Sequence, residues 1–128
     1  MAGVARSLVR SIPTASGRRL NVAALRDAIA SDRNAGLIPM AVVESAGTTN
    51  TGAIDPLQEV ADLCEREGIW LHADAAYGGF SILSSWGKKA LSGIERADTI
   101  TLDPHKWLYV PFECGCLMAR EPARLFDA

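Results

Sequence analysis

Twenty residues, from Asp55 to Asp74, leave this chain little choice of architecture. Asp55-Pro56 is a helix start, with a side-chain acceptor at the cap and proline at the first helical position. Leu57, Val60, Ala61 and Cys64 recur at helical spacing as a buried stripe, while Glu59, Asp62, Glu65, Arg66 and Glu67 fall on the wet side. Gly68 ends that helix, and Ile69-Trp-Leu-His-Ala73 follows as a strand that arrives at Asp74. Upstream, Leu37 to Glu44 is β-branched and nearly charge-free, and reads as a buried strand despite Pro39 near its start. Strand, helix and strand in this order form the βαβ unit of a parallel sheet. The predicted class is therefore α/β, a mostly parallel sheet with flanking helices.

The flanking sequence extends the same pattern. Asn21 can cap a helix in which Val22, Leu25, Ala28 and Ile29 face inward, ending near Asn34-Ala-Gly36. Asp98 to Leu102 reads as a short strand leading into Asp103-Pro-His-Lys-Trp107. Cys114 to Ala119 reads as another, antiparallel one, before a final helix near Glu121 or Pro122. There is no internal repeat and no low-complexity tract.

Composition narrows the function classes. At 128 residues the chain holds one domain at most. Thirteen basic against fifteen acidic side chains give a net charge of −2, which offers nothing to nucleic acid or a membrane surface. The longest uncharged stretch, Ala75 to Gly87, has 13 residues and is too short to span a bilayer. The first six residues lack the apolar core of a signal peptide. Three cysteines (Cys64, Cys114 and Cys116) without a pairing framework fit a reducing compartment, so a cytoplasmic setting is expected. Cys114-Gly-Cys116 has the wrong spacing for a redox pair, and both are expected to be buried apolar side chains rather than metal ligands.

In open α/β sheets ligands bind beyond the carboxyl ends of the strands. Here those ends carry Thr48-Thr49-Asn50, Asp74, and the trio Asp103, His105 and Lys106. A carboxylate closing an apolar strand needs a cation or a proton. A lysine beside aromatic neighbours can become a nucleophile. Singly, each has an ordinary reading: a strand-end hydrogen bond, a solvated loop lysine, turn threonines, bonded histidines. His72, Asp74 and His105 could also form a metal set, but the spacing is a weak signal and no metal is expected. Residues 46–52 lack the Gly-Lys-Ser/Thr of a phosphate loop, though the backbone N–H groups of Gly47–Gly52 could still meet an anion, and no nucleophile elbow is present. Taken together the residues suit pyridoxal phosphate, which needs a lysine for its aldehyde, a carboxylate for its ring nitrogen, a small residue against the ring, and polar groups around O3′ and the phosphate.

His72-Ala-Asp-Ala-Ala-Tyr-Gly-Gly79, followed about thirty residues later by Asp103-Pro-His-Lys-Trp107, resembles the group II pyridoxal-phosphate-dependent amino-acid decarboxylases, the family of the aromatic-L-amino-acid, tyrosine, histidine and glutamate enzymes. Ala46-Gly-Thr-Thr-Asn-Thr-Gly-Ala-Ile-Asp-Pro56 is similar to that family's threonine turn. The likeness runs along nearly the whole chain and is densest from Glu44 to Met118. It implies part of a fold-type I large domain, so residues 1–128 would be a single partial domain. It also implies a PLP-dependent carboxy-lyase that converts an L-amino acid, aromatic ones included, to its amine and CO2.

By the resemblance, Lys106 would be the Schiff-base lysine and catalytic residue, with His105 beside it contacting phosphate or cofactor. Asp74 would pair with the ring nitrogen, Ala76 would pack on the ring face, and Thr49 would reach the O3′ region. Asp103 stands where some members place an asparagine on the phosphate, although an ionised carboxylate there would repel that group. The family works as a homodimer of much longer chains. The likeness leaves out its main phosphate loop, the ring that stacks on the cofactor, the mobile loop after the lysine and the small C-terminal domain. The isolated chain, whether fragment or truncated product, is expected to be inactive and marginally stable. Other readings remain open: another fold-type I lyase, or a non-catalytic domain that binds cofactor weakly or associates with a partner chain.

Overall fold

A computed structural model describes residues 4–111 and 113–125, with nothing described for the side chain of Arg124. Its centre is a four-stranded sheet: β1 (Ala41–Ser45), β2 (Trp70–Asp74), β3 (Thr99–Leu102) and β4 (Cys116–Ala119), side by side in chain order. β1 pairs parallel to β2 with Ser45 opposite Asp74, and β2 pairs parallel to β3 with Asp74 opposite Thr101. β4 returns antiparallel, placing Leu102 opposite Cys116. This is the mostly parallel α/β sheet expected. Three parallel strands therefore end at the same edge, and that edge carries the site.

The helices follow their sequence signals closely. α1 (Val22–Asn34) starts where Asn21 accepts a hydrogen bond from the Ala24 N–H at 3.1 Å, and it buries Leu25 and Ile29. α2 (Leu57–Glu67) buries Leu57, Val60, Ala61, Leu63 and Cys64, and stops at Gly68, which takes the left-handed φ of 64° that a Cβ would oppose. α2 packs on β1 and β2 and against α1. Val42, Glu44, Leu71 and Ala73 meet it from the sheet, so one face of β1 and β2 is core. α3 (Ser85–Ala90) is capped by Ser84, whose side chain accepts from the Gly87 N–H. α4 (Pro104–Trp107) is a single turn with proline at its start. Among the described residues no helix is long and apolar enough to cross a membrane.

Three expectations need correction. Residues 37–40 are not strand: β1 begins at Ala41, after Pro39, which has no N–H to give a ladder. Asp55 does not cap α2. The helix begins a residue later, after Pro56, and the Asp55 carboxylate instead accepts the Leu20 N–H and the Ser45 N–H, both at 2.7 Å. Cys114, just before β4, is only half-buried, and Cys116 is exposed because β4 is an edge strand with three of its four residues exposed; among the three cysteines only Cys64 is buried. The last segment forms a short turn of 3-10 helix, Pro122–Leu125.

Candidate active site

After β1 the chain doubles back over residues 46–54. The Gly47 and Thr48 N–H groups both donate to the Ala53 carbonyl, at 3.2 and 2.9 Å, and Ala46 bridges to Ile54. The Thr48 and Thr51 hydroxyls meet at 2.7 Å. Asp55 clamps the base of this loop through the Ser45 N–H, so a buried carboxylate fixes where Thr48 and Thr49 stand. The loop is held laterally by glycine. A Cβ on Gly47 would lie 2.7 Å from the Gly78 Cα, and Gly47 sits at φ +98°, so no other residue type fits without displacing the loop after β2.

At the end of β2 the Asp74 side chain leaves the sheet for the crevice, and its Oδ1 accepts the Ala76 N–H at 3.2 Å. The apolar surroundings expected for it do not materialise: Asp74 is exposed, with no cation within ion-pair distance among the described residues. At the end of β3, α4 brings up His105 and Lys106. His105 Nδ1 lies 2.8 Å from the Cys114 carbonyl and 3.4 Å from the Cys114 N–H, so the ring plane is set from the segment just before β4. The Lys106 ammonium pairs with Asp103 Oδ2 at 2.8 Å. Tyr77 and Trp107 meet edge to face, with centroids 5.9 Å apart, and brace the β2 loop against α4.

These loops enclose a cavity of about 180 Å³ lined by Ser45, Gly47, Thr48, Thr49, Asp74, Ala76, Tyr77 and Lys106. The structure thus brings Thr49, Asp74, Ala76 and Lys106 to one space. His105 on α4 and Asp103 just before it do not line the cavity themselves. Tyr77 reads from sequence as core or interface packing and Thr48 as an ordinary turn residue, while Ser45 gives no signal. Their place here follows from the period of two along a strand and from the doubling back of the loop. A larger cavity, about 460 Å³, lies at the opposite ends of β2 and β3, but its arginines are committed: Arg96 to Asp62 and Glu65, Arg120 to Asp98. His72 is not placed to hold a metal. Its two ring nitrogens lie 2.8 and 3.1 Å from the Thr99 and Thr101 hydroxyls, which hold it across the β2–β3 ladder.

Behind the site, on the core face of β1, Glu44 is 1% exposed and neither carboxylate oxygen has a hydrogen-bond partner among the described residues. Burial, with the Asp55 charge adding to it, pushes its carboxyl up to about 8, so it is neutral at pH 7. Burial likewise pushes the Cys64 thiol up to about 12, with Glu44 and Asp98 contributing, which makes it an inert core side chain.

Residues 1–128 match the family described as the pyridoxal-dependent decarboxylase conserved domain. The chain belongs to that family. It is 51% identical over 109 residues to an aromatic-L-amino-acid decarboxylase of Bacillus atrophaeus, a match covering 85% of this chain and 23% of the relative. It is 46% identical over 121 residues to an L-2,4-diaminobutyrate decarboxylase of Rhizobium meliloti, covering 94% of this chain and 24% of the relative. The crystal structure of Catharanthus roseus tryptophan decarboxylase in complex with L-tryptophan superposes with a TM-score of 0.93 at 35% identity, covering 98% of this chain and 28% of that one. This decarboxylase-family chain thus spans about a quarter of the length of the relatives it matches. Its cavity suits the family's cofactor on its own geometry: an amine and a carboxylate reach one space, a small alanine lines it, and threonines stand at its rim.

Proposed function

We propose that the protein carrying this chain is a pyridoxal-phosphate-dependent carboxy-lyase that removes the α-carboxylate of an L-amino acid as CO2 and leaves the amine. One observation carries the reading: Lys106 and Asp74 share a cavity at the carboxyl ends of three parallel strands, in a chain of the decarboxylase family. Bound there, the cofactor supplies a protonated ring that accepts the electron pair released when CO2 departs. The chain's own residues have distinct tasks. Lys106 offers the amine that holds the cofactor's aldehyde carbon. Asp74, on rigid β2, holds the proton on the ring nitrogen. Ala76 leaves the ring face uncrowded, and Thr49 gives a hydroxyl to the O3′ side. His105, with its plane fixed by the Cys114 carbonyl, stands next to the phosphate end.

An aromatic substrate is part of the proposal, supported by the relative at 51% identity. So are a homodimer, supported by the extent of exposed apolar surface on this chain, and a cytoplasmic setting, supported by cysteines without a pairing framework. The test uses the full reading frame that carries this chain. Incubation with pyridoxal phosphate, borohydride reduction and peptide mapping should place the adduct on Lys106, and L-tryptophan or L-tyrosine should yield CO2 and the matching amine. An adduct on Lys88 or Lys89 alone, or turnover without CO2, would overturn the reading.

A further inference from the structure

Lys106 and Asp74, of opposite charge, line one cavity, where a direct pair would engage both. Such a pair would occupy the space a ligand needs and would engage both groups that must meet it. The structure pairs Lys106 elsewhere. Its Nζ lies 2.8 Å from Asp103 Oδ2, one helical turn back, where side chains three residues apart meet. Asp103 precedes Pro104 at the start of α4, the place where an aspartate ordinarily bonds the helix's leading N–H groups, yet its side chain makes no cap bond. The Asp103 side chain is 18% exposed and Asp103 does not line the cavity. It therefore holds the amine from outside that lining.

We propose that Asp103 is a positioning residue that holds the Lys106 amine off Asp74, so that the cavity is open when the cofactor arrives. This inference rests on the proposed function above, and it departs from a direct phosphate contact at this position. Capture joins Nζ to the aldehyde carbon as a C=N bond and releases water. The ammonium proton passes to solvent beforehand, and Asp103 keeps the amine off Asp74 until then.

The experiment measures the rate at which the full-length, cofactor-stripped protein takes up pyridoxal phosphate, by absorbance and by borohydride-fixed label on Lys106. Asp103→Asn should slow capture by about three- to fivefold, because a Lys106–Asp74 pair must first break. Asp103→Glu, which keeps the charge, should capture within about twofold of the parent rate. The double variant Asp74→Asn with Asp103→Asn should recover the fast rate while binding the cofactor more weakly, since nothing remains for Lys106 to collapse onto. That recovery is the outcome a merely structural Asp103 would not produce. The inference fails if Asp103→Asn captures as fast as the parent, if Asp103→Glu is as slow as Asp103→Asn, or if the double variant stays slow. Absence of label on Lys106 in every protein, the parent included, would instead overturn the proposed function.

Discussion

Glu44 shows how one residue can set the pH range in which a fold holds. Its carboxyl is buried, without a hydrogen bond among the described residues, and its folded value is raised from 4.5 to about 8. Between those values the folded state keeps a proton that the unfolded state has released. Its contribution to stability is therefore full below pH 4.5 and is lost as pH rises through about 8, to a total of up to about 5 kcal/mol. Denaturant midpoints of the protein should accordingly fall between pH 5 and pH 8. In Glu44→Gln, which cannot ionise, that part of the fall should vanish. Equal falls in both proteins would place the pH dependence in another group.

At the scale of elements, what matters is how separate loops are held to one another. The edge-to-face contact of Tyr77 and Trp107 joins the loop bearing Asp74 and Ala76 to the turn bearing His105 and Lys106. A double-mutant cycle with Tyr77→Leu and Trp107→Leu should give a coupling energy of about 0.5–1.5 kcal/mol in denaturant unfolding. Strict additivity would show that the rings do not brace the loops. Sequence makes the elements themselves legible here, because α2, Gly68 and β2 are written in local periodicity and turn chemistry. It also locates Thr49, Asp74 and Lys106 at strand ends. It does not reveal what side chains bond to. Asp55 and Asp103 both stand where a helix cap belongs, and both bond elsewhere, because Ser45 N–H, Leu20 N–H and the Lys106 amine are stronger or nearer donors in three dimensions. Cys114 and Cys116 look like core residues by type, but one precedes and the other opens β4, an edge strand among the described residues.

For the molecule as a whole, surface decides what this length of chain can do alone. Val43 on β1 is 61% exposed and Leu117 on β4 is 59% exposed, and these are the two edge strands of the sheet. Ile38 and Tyr109, at 90% and 91%, add to the exposed apolar surface. Edge strands with open ladder groups and apolar side chains invite further pairing. The relatives are about four times as long, which leaves ample chain to cover such edges. Residues 1–128 expressed alone should therefore bind a hydrophobic dye such as ANS and self-associate. They should also label weakly and unselectively with pyridoxal phosphate, at Lys88 and Lys89 as well as Lys106. The full reading frame should bind little dye and label at Lys106. Should the short chain prove monomeric, dye-silent and selective for Lys106, the cavity between β1, β2 and α4 would be a self-sufficient cofactor site, and the additional length of the relatives would serve substrate choice rather than cofactor capture.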